Sequence, residues 1–175
     1  MSTTTRGHVA FAAVGAGLIH LALVVGAPLP FAVVFAAVGA AELAWGVAAM
    51  AATRLPVPRV AFAGALLPPV LWACVLLGEV ALGVAAPLPL LPLAAASVLG
   101  FFAAAVVGVQ LRRSEPRSPR REPGAARYLV GLFAGALVVA SITTPALAAT
   151  EAGRYARPHG EHSGLVVDLE HGDHR

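Results

Sequence analysis

Leu111-Arg112-Arg113-Ser114-Glu115-Pro116-Arg117-Ser118-Pro119-Arg120-Arg121-Glu122-Pro123-Gly124-Ala125-Ala126-Arg127 is the long hydrophilic interruption between Met1 and Thr150, and its reading decides the fold. Six of its seventeen residues are arginine, and Glu115 and Glu122 offset only part of that charge. The residues on either side form apolar runs of about 20, the length that crosses ~30 Å of hydrocarbon at ~1.5 Å per residue. An arginine-rich segment between two such runs marks the cytoplasmic side of a membrane, and the rest of the chain can be laid out from it.

Composition agrees. Of 175 residues, 58% are hydrophobic and only 12% charged, whereas a soluble domain carries about 25% charged residues. That leaves too little polar surface to cover a globule in water. All twelve basic residues are arginine, and Lys and Asn are absent, which is the signature of a GC-rich genome. The pI of about 10.0 comes from loop arginines and not from a foldable basic face, so nucleic acid is not an expected partner. A single cysteine, Cys74, excludes an intrachain disulfide and a multi-cysteine zinc site. Residues 1–8 hold one arginine and no cleavable signal is expected there.

The expected architecture is all-α, a polytopic integral membrane helical bundle with five transmembrane helices over residues 9–25, 31–52, 60–82, 88–110 and 128–149. The Gly26–Pro30 and Gly83–Pro87 turns are uncharged, and Thr53–Arg59 is a short basic turn. Pro68-Pro69 predicts a kink in the third span. Arg6, then Arg54 and Arg59, then the six arginines of the 111–127 loop fall on one side, nine of the twelve. The two intervening turns hold none, so the expected orientation is N-in/C-out. The domain plan is a five-span domain over 1–149 and an extracytoplasmic, His-rich, disordered tail over 150–175.

Ionisable groups within spans are costly and are therefore functional candidates. His20 and Glu42 lie at depths differing by only ~6 Å at ~1.5 Å per residue, on two helices joined by a tight turn, so the two can reach each other. One reading makes this intramembrane polar pair a proton or metal relay. The other, which is preferred, makes it an interhelical hydrogen bond that holds two spans together. Cys74, Ser97 and Ser141 lie at comparable depths and would complete a polar layer with one group per helix. Glu79 is expected near the interface, within reach of water. Trp45 and Trp72 read as packing residues. Gly131-Leu132-Phe133-Ala134-Gly135 matches the G-x-x-x-G helix-packing pattern and predicts close packing of the fifth span, within the chain or in a homodimer.

The tail carries His159-Gly160-Glu161-His162 and, twelve residues on, His171-Gly172-Asp173-His174. Imidazole and carboxylate together suit Zn²⁺, Cu²⁺ or Ni²⁺, and two H-x-x-H pairs can complete a tetrahedral site. His159, His162, His171 and His174 are the candidate ligands, with Glu161 and Asp173 weaker; the plain alternative is a solvated tail. Ala146-Leu147-Ala148 would also fit a cleavage site after Ala148, though an Ala-rich helix end accounts for the same residues and is preferred.

Gly17–Leu23 (G-L-I-H-L-A-L), Gly39–Gly46 (G-A-A-E-L-A-W-G), Thr143–Gly153 (T-T-P-A-L-A-A-T-E-A-G) and P-H-G-E-H at 158–162 resemble a set of uncharacterised multi-span membrane proteins from GC-rich bacteria. That pattern often has Gln where this chain has Glu42. The resemblance implies a bacterial plasma-membrane location and carries no activity or ligand set. Two functions are expected from the whole: a membrane protein that binds or handles a divalent transition metal outside the cell, or a non-catalytic subunit or scaffold packed on a membrane-protein partner. No Ser-His-acid set, phosphate loop or CxxC is present, so an enzyme is not expected.

Overall fold

A computed structural model describes residues 1–83, 88–112 and 124–156. They are helical, and no strand occurs among them. Five helices are long and apolar enough to cross a membrane: α1 (Thr3–Leu23), α2 (Leu29–Ala51), α3 (Pro58–Leu82), α4 (Leu90–Arg112) and α5 (Ala125–Ala148). A sixth, α6 (Glu151–Arg154), is a single turn.

The helix ends differ from the expected spans by a few residues, for local reasons. α1 starts six residues earlier because Ser2 caps it, its hydroxyl accepting from the Thr5 N–H at 3.1 Å. α2 and α3 open with proline in their first turn, where the missing N–H has no helical partner to lose. α3 stays helical through Pro68 and Pro69, which are both buried. Those prolines remove the donors that would meet the carbonyls of Gly64 and Ala65. The Ala65 carbonyl instead lies against Gly100 of α4, where an added Cβ would come within 2.8 Å of its oxygen. At the other end of the chain, residues 150–156 form the single turn of α6 and its flanks. Thr150 is buried and caps α6, its hydroxyl accepting from Gly153 N.

α1 is the central helix. It packs against α2, α4 and α5, and α6 folds back onto its far end, while α3 packs mainly on α4. α2 and α3 are consecutive but make little contact with each other. Glycine sets the closest approach. A Cβ on Gly17 would lie 2.9 Å from the Gly39 carbonyl oxygen, and one on Gly39 2.8 Å from that of Gly17. Such backbone-to-backbone packing drives association between apolar helices, because hydrocarbon gives no hydrophobic incentive for them to pair. The G-x-x-x-G pattern of α5 is used within the chain: Gly131 faces Thr4, and Gly135 faces the His8 ring, whose Nε2 donates to the Gly131 carbonyl at 2.7 Å.

This packing puts the arginines at one end. Arg6 donates to the Thr53 carbonyl at 2.7 Å, which ties the start of α1 to the connector that carries Arg54 and Arg59. Arg112 ends α4 and Arg127 lies in the first turn of α5, at the same end of the bundle. Arg154 lies at the opposite end, paired with Glu151 at 3.2 Å.

Candidate functional site

His20, in the last turn of α1, meets Glu42 of α2 inside the bundle. The Gly17–Gly39 crossing brings α1 and α2 into contact, and one turn further along each helix His20 Nδ1 lies 2.7 Å from Glu42 Oε2. His20 is 1% exposed and the Glu42 side chain 14%. The imidazole stacks on Phe35 of α2 and is tilted against Trp72 of α3, with ring centroids 6.2 Å away in both cases. Phe35 and Trp72 are themselves 4.7 Å apart, so the histidine sits in an aromatic corner.

Trp72 is the member that sequence reasoning assigned to packing alone. Its Nε1 donates to His20 Nε2 at 3.3 Å. An indole N–H can only donate, so Nε2 is the acceptor in this contact and Nδ1 is the nitrogen that faces Glu42. His20 then donates to Glu42, and the hydrogen bonds run in one direction: Trp72 to His20 to Glu42. A buried tryptophan nitrogen normally finds a partner, and that was the signal available: a Trp in the middle of an apolar run needs an acceptor, and His20 is one at similar depth along its own run.

The wider polar layer does not form. Ser97 Oγ donates to the Leu93 carbonyl of its own helix at 2.8 Å, Ser141 Oγ to that of Val138 at 2.8 Å, and Cys74 is exposed. A hydroxyl on an apolar helix is satisfied most cheaply by the carbonyl a turn before it. Glu79 also departs from expectation: its Oε1 is buried and has no hydrogen-bond partner among the described residues. Trp45 does more than pack, since its Nε1 donates to the Pro56 carbonyl at 3.1 Å and ties α2 to the connector ahead of α3.

A partly open cavity of about 140 Å³ lies against this site, lined by α1, α2, α3 and α4. Its wall is mostly alanine and glycine, including Ala16, Gly64, Gly100 and Ala103, with Trp45 on one side. Glu42 is its one charged lining residue.

The six candidate metal ligands His159, Glu161, His162, His171, Asp173 and His174 lie outside the described residues. Among the described residues, no group of three or more His, Cys, Asp or Glu side chains could hold a metal ion. Both nitrogens of His20 are engaged, which leaves no lone pair for a cation. Ala148 is the last residue of α5, and the chain beyond it packs back on the bundle through the buried Thr150. Comparisons with protein-family profiles, with curated proteins and with solved structures give no match.

Proposed function

We propose that this chain is a bacterial plasma-membrane protein of five spans that holds a divalent transition metal on its extracytoplasmic tail. The bundle itself is a non-catalytic frame. In this reading the arginine end is cytoplasmic and the tail leaves from the opposite face. The observation that carries it is the separation of charge along the bundle: Arg6, Arg54, Arg59, Arg112 and Arg127 at one end, and Arg154 at the other. α6, packed on α1, fixes the point from which the tail departs. The metal is captured by His159, His162, His171 and His174 and does not pass through the bundle, because His20 is already saturated.

The test is titration of the full chain, and of a chain ending at Ala156, with Cu²⁺, Ni²⁺ and Zn²⁺ by calorimetry. The cut falls after α6 so that the packed Thr150 is kept. Tail-dependent binding with Kd below ~100 μM is expected; equal binding by both chains overturns the reading. A scaffold role on a partner membrane protein is the second reading. Its docking surface would be the apolar faces of α3 and α5, among them Leu67, Leu77, Val80, Leu129, Val130 and Phe133, which otherwise meet lipid.

A further inference from the structure

The hydrogen-bond direction through His20 leaves a charge to be accounted for. With Nε2 accepting from Trp72, His20 meets Glu42 through Nδ1 as a hydrogen-bond donor. Among the described residues, no arginine or second histidine reaches the carboxylate. An ionised carboxylate in a low-dielectric interior is expensive unless a cation is beside it. Glu42 is not sealed away, however. The part of its side chain that His20 does not cover faces the cavity.

The rest of the cavity wall suits an apolar body. Alanine and glycine line it, the Trp45 indole forms one side, and its volume of about 140 Å³ is close to the ~150 Å³ of an apolar cavity that takes up benzene. Room at the wall is real: a Cβ added to Gly64 would meet nothing within 4 Å. Pro68 leaves the Gly64 carbonyl without its in-helix donor. A tryptophan face also favours a cation.

We infer that the cavity lined by α1, α2, α3 and α4 is a binding site for a small lipophilic monocation, an aromatic or short-alkyl ammonium, held by Glu42. The ammonium supplies a positive charge beside the carboxylate. The ring or alkyl group fills the alanine- and glycine-lined space. The site depends neither on the direction in which the bundle crosses a membrane nor on the tail, so it stands or falls separately from metal capture.

Benzylammonium is the probe, and benzyl alcohol is its uncharged counterpart of similar size. Both are titrated calorimetrically into the full chain in detergent micelles. Benzylammonium should bind saturably to the native chain and be weakened about ten-fold or more by Glu42→Gln, which keeps an acceptor for His20 but removes the charge. Gly64→Leu, which fills the cavity from an unobstructed position, should abolish binding while Glu42 remains. Benzyl alcohol should not distinguish native chain from Glu42→Gln. The proposal is overturned if benzylammonium binds Glu42→Gln or Gly64→Leu as well as the native chain, which is the behaviour of micelle partitioning. It is equally overturned if the native chain does not take up benzylammonium.

Discussion

Replacing Glu42 separates the two roles that its carboxylate holds at once. As an acceptor it satisfies His20 Nδ1–H; as a charge it has no arginine beside it among the described residues. Glutamine keeps the first role and drops the second. Glu42→Gln should therefore melt in detergent at or above the native temperature, whereas Glu42→Leu leaves a buried donor without a partner, at a cost of about 1–3 kcal/mol. A Glu42→Gln protein that melts as low as Glu42→Leu would show that the charge itself holds α1 to α2. Thr143 is a smaller instance of the same accounting: its Oγ1 is buried beside Gly15 with no partner among the described residues. The depth match between His20 and Glu42 could be read from residue counting, because both depths run from one short turn. Trp72 could not be placed, because its register on α3 relative to α1 depends on how α3 and α4 pack. Ser97 and Ser141 were misassigned for a related reason: counting gives depth along a helix but not whether a hydroxyl is spent on its own backbone.

At the level of elements, the glycines carry more than the hydrogen bonds. An interhelical hydrogen bond in a membrane is worth about 0.6 kcal/mol on average, so the His20 chain cannot by itself hold three helices together. The Gly17–Gly39 crossing can, since each glycine lies where an added Cβ meets the partner backbone, which cannot swing away as a side chain would. Gly17→Ala and Gly39→Ala should each destabilise the bundle by about 1–3 kcal/mol and loosen His20 from Glu42. Gly78→Ala, where nothing lies within 4 Å, should leave stability unchanged or slightly raised. Thermal unfolding of the three variants side by side checks this, and equal melting temperatures would sink it. The five helices themselves were legible, since each apolar run has the length of one helix and proline or glycine breaks it. Which helix is central was not, because an all-apolar run has no face that points to its neighbour. Small residues are also so common in this chain that the glycines at contacts do not stand out from those at Gly64 and Gly78.

For the whole molecule, the decisive quantity is which end of the bundle faces the cytoplasm. Reporter cysteines in a Cys74→Ala background can read it. Thr53→Cys lies in the connector at the arginine end and leaves the arginines in place; Tyr155→Cys lies beyond α6 and is 74% exposed. An impermeant maleimide on intact cells should label Tyr155→Cys, and Thr53→Cys only after permeabilisation. The reverse pattern would put the tail in the cytoplasm and end the extracytoplasmic metal reading. Labelling of both on intact cells would mean that the chain does not span as proposed.

The central place of α1 bears on how the chain is made. α1 is the least apolar of the five long helices and the most enclosed by the others, yet it is synthesised first. Only α2 follows closely enough to cover it as a hairpin, through Gly17 and Gly39. The surface of α1 that carries Thr4 and His8 waits for Gly131 and Gly135 of α5, more than a hundred residues later in the chain. A nascent chain interrupted before α5 would leave this face of α1, with its histidine ring, uncovered. Completion of the last long helix thereby becomes the step that hides the first one.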